Sequence, residues 1–201
     1  MSTPATPPSL TVALHLDGRR CVVVGGGHVG QRRAVQMRRC GGDVVVISPE
    51  LWPAAGRAQL ESLGVEWVAR EYRTGDLDGA FVVVAATGRS DVDAAVIADA
   101  RASGALTNHV SDATAGDISL VATTETDHVQ VSVSTDGRTP ALTRWIRDRL
   151  ADEIADGYPV LVELFAEARG QLRAAGRPTS HPGWDAALKS GLLELCLLYT
   201  S

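Results

Sequence analysis

The sequence predicts an α/β fold built on a doubly wound parallel sheet, from three observations. Four short segments, "CVVV", "DVVVIS", "GAFVVVAAT" and "ALTNHVS", read as strands, and most are apolar throughout, as strands covered on both faces are. Stretches of helical spacing lie between them, which favours βαβ units over a meander. The first strand breaks into three consecutive glycines with a fourth three places later, in "CVVVGGGHVG".

In chain order, "CVVV" leads through the glycine turn into a helix, "HVGQRRAVQMRRCG". There Val29, Ala34, Val35, Met37 and Cys40 can face the sheet, while Arg32, Arg33, Arg38 and Arg39 face solvent. "DVVVIS", ended by Pro49, completes a βαβ unit of about 30 residues. "LWPAAGRAQLESLG" follows as a helix and "VEWVAR" as a short strand, and "GAFVVVAAT" is a fully buried strand. "SDVDAAVIADARASG" reads as a helix capped by Ser90 and stopped by Gly104, and "ALTNHVS" adds the last strand of the sheet.

Past Asp117 the texture changes. "DISLVATTETDHVQVSVSTDGRTP" holds two alternating stretches around a polar turn, the pattern of a β-hairpin. "ALTRWIRDRLADEI" is amphipathic, with Leu142, Trp145, Ile146, Leu150 and Ile154 at helical spacing, a stripe for a core or a dimer interface. "PVLVELFAEARGQLRAAG" is a further helix of this kind. The expected organisation is a disordered lead over 1–12, a dinucleotide domain over 13–117, a small α/β segment over 118–150 and a helical segment over 151–201. The final "GLLELCLLYTS" reads as a buried terminus, a dimer contact or a non-native tail.

With 201 residues and 45% hydrophobic content the chain can bury a sizeable core. A net charge of −5 argues against a general nucleic-acid binder. No apolar stretch approaches the roughly 18 residues of a membrane span, and "MSTPATPPSL" lacks the regions of a secretory signal, so a cytoplasmic protein is expected. Cys21, Cys40 and Cys196 lie far apart, with no metal-ligand spacing, and are expected to be reduced.

Gly25, Gly27 and Gly30 fit G-x-G-x-x-G directly after a strand and at a helix start. In that context the glycines permit a tight turn, close approach of a pyrophosphate and packing of helix on strand. Gly26, His28 and Val29 complete the loop, whose N–H groups favour a diphosphate; the alternative is a purely structural turn. At the end of the second strand, Ser48, Pro49 and Glu50 stand where NAD proteins hold the adenosine ribose. No arginine follows immediately to welcome a 2′-phosphate, so NAD is favoured over NADP. Thr87 and Asn108 end later strands at the same edge, beside the expected nicotinamide, and His109, Ser111 and Asp112 follow them.

Together these residues resemble the precorrin-2 dehydrogenase family, which includes the amino-terminal module of siroheme synthase. The resemblance rests on "ALHLDGRRCVVVGGGHVGQRRA", "VVVAAT", "NHVSDA" and above all "VQVSVSTDGRTPALTRWIRDRL", in the family's order over roughly residues 13 to 155. It implies a Rossmann-type domain, then a dimerisation segment and a helical domain, in a homodimer with substrate clefts between domains. It also implies oxidation of precorrin-2 to sirohydrochlorin with NAD⁺ taking the hydride, and in some members insertion of Fe2+ to give siroheme. The "STDGRTP" turn is implied to line the tetrapyrrole cleft through Ser134, Thr135, Gly137, Arg138 and Thr139, with Arg144 and Arg147 nearby.

The family carries an aspartate in an N-x-x-D setting, whereas this chain has Ser111 there and the acid one place later. In an extended segment that shift turns the side chain to the other face. Asp112 is the expected base, with Ser111 and His109 beside it; the alternative is that Asp112 caps a turn. A competing reading of the whole chain is a non-catalytic NAD-binding regulatory module, and a third is another small-molecule dehydrogenase on the same fold.

Overall fold

The computed structural model describes residues 9–180, 183–193, 195 and 196. Most of the lead expected over 1–12, and part of the terminal "GLLELCLLYTS", therefore lie outside the described residues; the described part of the lead, 9–12, is exposed and has no regular structure. The chain divides into two compact units, one ending at Leu120 and the other starting at Val121.

The first unit is a five-stranded parallel sheet of β1 (Arg20–Val24), β2 (Asp43–Ile47), β3 (Glu66–Val68), β4 (Val82–Ala85) and β5 (Leu106–His109). Its spatial order is β3-β2-β1-β4-β5, so the direction of winding reverses between β1 and β4. Alternation within the apolar strands builds both cores. Cys21, Val23, Val44, Val46, Val82 and Val84 join a cluster with Ala34 and Met37 of α1 (His28–Arg39). Val22, Val24, Val45, Ile47, Val83 and Ala85 join a second with Val96, Ile97 and Ala100 of α3 (Ser90–Ala102). Successive side chains on a strand point to opposite faces, so an unbroken run of valines feeds two cores at once.

Four local readings change. The helix expected over 51–64 shortens to α2 (Ala55–Ser62), because Trp52 donates its N–H to Gly26 O at 2.9 Å and residues 51–53 stay in a loop. Ser90 is the first helical residue of α3 rather than its cap; Arg89 holds the N-cap position without a side-chain capping bond. Cys40 is exposed at the C-cap of α1. Arg33 and Arg38 do not simply face water: Arg33 donates to Gln36 Oε1 and Leu120 O at 3.0 and 3.2 Å, and Arg38 to Leu63 O at 2.7 Å. Burial pushes the Arg33 guanidinium down to about 10, still charged at neutral pH.

The second unit pairs β6 (Ala122–Thr126) and β7 (Val129–Val133) as an antiparallel hairpin and adds α4 (Pro140–Ala155), α5 (Tyr158–Ala174) and α6 (Gly183–Leu188). The α4 stripe splits along its length. Ile154 is buried and Ile146 and Leu150 are half-buried, but Leu142 and Trp145 are exposed. No helix among the described residues is long and apolar enough to cross a membrane.

Candidate functional site

The winding reversal opens the sheet's carboxyl edge between β1 and β4, the place where such sheets take ligands. β1 runs straight into the glycine loop. Gly25 adopts φ +120°, which strongly favours glycine, and a Cβ there would run into Ala86 O beyond β4. Gly26 and Gly30 are equally closed, against Glu50 O and Gly25 O respectively. Gly27 differs: it is exposed, and a Cβ on it would meet nothing within 4 Å.

Gly27 is also the N-cap of α1, where no side-chain cap bond forms and no acidic residue occupies the first turn. The N–H groups at His28, Val29 and Gly30 therefore stand at the positive end of a helix of 12 residues, behind an open glycine. These residues fit the diphosphate of a dinucleotide: the closed glycines shape the turn, and the open one leaves room for the ligand.

The loop after β2 is fastened to this turn. Gln31, buried in α1, donates Nε2 to Gly26 O at 2.8 Å and to Pro53 O at 3.3 Å. The Ser48 hydroxyl donates to Glu50 O at 2.7 Å, and Trp67 Nε1 donates to Ser48 O at 3.0 Å. Ser48 is thus tied into its own loop, while Pro49 and Glu50 are exposed beside it. Gln31 was absent from the expected site. A glutamine among the sheet-facing residues Gly30, Ala34, Val35 and Met37 was the available signal.

At the other half of the edge, Thr87 donates its N–H and hydroxyl to Asp93 Oδ1 at 3.0 and 2.7 Å. Asp93 is 2% exposed and staples the loop between β4 and α3. It too was missed, although an acid on the apolar face made by Val96, Ile97 and Ala100 was the sign. On β5, Asn108 is buried and donates Nδ2 to Ile118 O at 2.9 Å; its Oδ1 has no partner among the described residues. His109 pairs in register with Ala85, which brings Thr87, Asn108 and His109 to one edge.

Beyond β5 the chain forms a hydrogen-bonded loop. Asp112 N–H donates to His109 Nδ1 at 3.0 Å, so the neutral imidazole carries its proton on Nε2. Thr114 donates its N–H and hydroxyl to Asp112 Oδ1 at 2.9 and 2.6 Å. Asp112 is exposed, and the Thr114 donors hold its carboxyl below the usual carboxylate range. Ser111 is exposed at the bend. Below it, Thr107 donates its N–H and hydroxyl to Asp117 Oδ2 at 3.1 and 2.6 Å, and Asp117 N–H returns a bond to Thr107 Oγ1 at 3.1 Å.

Ser134, Thr135, Gly137, Arg138 and Thr139 belong to the second unit, in the turn from β7 into α4. Thr135 Oγ1 pairs with Thr143 Oγ1 at 2.7 Å, and Asp136 and Gly137 take successive positive φ values of 50° and 73°. Arg147 is paired with Asp148, whereas Arg138 and Arg144 are exposed without an ion pair among the described residues. No three His, Cys, Asp or Glu side chains gather as a metal site among the described residues.

A family model described as "Putative NAD(P)-binding" matches residues 12–122, and one described as "Sirohaem biosynthesis protein central" matches residues 127–153. The chain is 36% identical over 167 residues to a siroheme synthase of Chromobacterium violaceum, covering 81% of this chain and 34% of that protein. It is 37% identical over 141 residues to the siroheme synthase of Photobacterium profundum, covering 70% and 30%. The chain thus spans about a third of the length of these curated relatives. Among solved structures it resembles SirC, precorrin-2 dehydrogenase, with a TM-score of 0.71 at 22% identity over 96% of this chain and 95% of that one, a likeness of fold. With the first model matching more than half of its length, the chain belongs to the NAD(P)-binding family so described, and carries the sirohaem-biosynthesis central segment directly after it.

Proposed function

We propose that this chain oxidises precorrin-2 to sirohydrochlorin in the cytoplasm, with NAD⁺ as acceptor. The observation that carries the reading is the dinucleotide cradle followed in the same chain by the sirohaem central segment. The siroheme synthase relatives and the SirC fold support it. The reaction removes one hydride and one proton from the macrocycle, giving sirohydrochlorin, NADH and H⁺. When bound, NAD⁺ supplies the hydride acceptor.

The chain's own residues do the rest. The N–H groups after Gly27 hold the diphosphate, and Thr87 and Asn108 bound the nicotinamide half of the edge. Asp112, held ionised by Thr114, takes the released proton, while His109 offers Nε2–H to a substrate carboxylate and Ser111 stands between them. Ser134, Thr135, Gly137, Arg138 and Thr139 meet the substrate's acidic side chains through hydroxyl, N–H and guanidinium donors. The exposed Leu142 and Trp145 of α4 support a homodimer through the 118–150 segment. Insertion of Fe2+ as a second substrate belongs to the same proposal.

The test is incubation of the purified chain with enzymatically generated precorrin-2 and NAD⁺, with Fe2+ added afterwards. The sirohydrochlorin spectrum is expected first and the siroheme spectrum second, with the first lost in Asp112→Ala. A folded chain that binds NAD⁺ and leaves the precorrin-2 spectrum unchanged would support the regulatory module instead. The feature favouring that second reading is the engagement of Asp112 in its own turn.

A further inference from the structure

We infer that Trp52 is the platform on which the adenine ring of the dinucleotide stacks. The inference rests on the dinucleotide reading of the cradle and not on the tetrapyrrole substrate. Trp52 lies beyond β2, on the adenosine side of the winding reversal, and is 69% exposed. A single exposed apolar side chain is ordinary, but this one is held in place. Its backbone N–H is fixed to Gly26 O at 2.9 Å, and Gln31 ties the next residue, Pro53, to the same carbonyl.

The indole meets the His28 ring at 5.4 Å between centroids and 90° between planes. A T-shaped contact occupies at most one indole face, and His28 is itself the first residue of the helix that receives the diphosphate. An aromatic face is thus held open one ring away from the phosphate site. The Ser48 hydroxyl is bonded to Glu50 O, which leaves the exposed Glu50 carboxylate as the acid for the adenosine ribose. Stacking on Trp52 adds to that grip, holding the purine by its face.

Calorimetric titration with ADP-ribose and with nicotinamide mononucleotide tests the assignment. Trp52→Ala is expected to raise the ADP-ribose Kd about tenfold and Trp52→Phe by no more than about threefold, with mononucleotide binding unchanged in both. In the unsubstituted chain, ADP-ribose should protect Trp52 from N-bromosuccinimide oxidation, located by peptide mass spectrometry. That arm reads out even where the alanine variant does not fold. An ADP-ribose Kd within about twofold of the parent in Trp52→Ala, an equal loss for the mononucleotide, or absence of protection would overturn the inference. None of these readouts involves precorrin-2, so failure to oxidise it would sink the proposed reaction and leave the role of Trp52 standing.

Discussion

The glycine turn after β1 and the loop that leaves β5 meet the same edge of one sheet, and different forces hold them. The turn is held by exclusion: Gly25, Gly26 and Gly30 sit so close to neighbouring carbonyls that no side chain fits. The β5 exit loop is held by ionised acceptors, Asp112 receiving from Thr114 and Asp117 from Thr107. Shape does not titrate, whereas carboxylates do. The glycine turn is therefore indifferent to pH over the range where the proposed acid/base loop is not.

Within the turn, Gly25 and Gly27 should separate sharply. Gly25→Ala combines a disfavoured φ with a backbone clash and is expected to cost about 3 kcal/mol of stability by denaturant titration. Gly27→Ala meets open space and should leave stability within about 0.5 kcal/mol, yet weaken NAD⁺ binding about tenfold in the same preparation. If both variants lose stability equally, Gly27 is structural and the distinction between shape and access fails.

In the exit loop, Thr107→Val removes the hydroxyl that Asp117 both receives from and donates to, inside a fully buried strand position. A loss of about 1–2 kcal/mol is expected, with faster amide exchange over 106–118 and none added over the glycine turn. The smallest effect is the acid response. Asp112 and Asp117 have folded pKa values below the ordinary aspartate value of 3.8, so their contribution is complete above that value and is lost as pH falls through the depressed folded values. NMR titration below pH 3.8 should show the exit loop loosening before the glycine turn changes. Simultaneous loosening would remove the contrast between the two loops.

The same contrast explains what the sequence disclosed. Glycine spacing is a record of steric need, so the cradle could be read from a string of letters, and valine runs likewise betray a sheet covered on both sides. The Thr107–Asp117 and Asp112–Thr114 bonds depend on the path of a loop, which no periodicity encodes. Asp93 and Gln31 lay between these cases: each is a polar residue on an apolar helix face, visible as an anomaly, but its partner is legible only after folding. On α4, helical spacing revealed a stripe without telling that Leu142 and Trp145 would stand exposed while Ile154 is covered. Periodicity names a face and is silent about its neighbour.

Gln31 has one further consequence. Because its amide reaches both Gly26 O and Pro53 O, the diphosphate turn and the adenosine loop behave as one mechanical part. The conformational freedom of two loops is then lost during folding rather than during capture of the ligand. A side chain with no assigned contact to the dinucleotide thereby sharpens its affinity, by leaving less disorder for binding to remove.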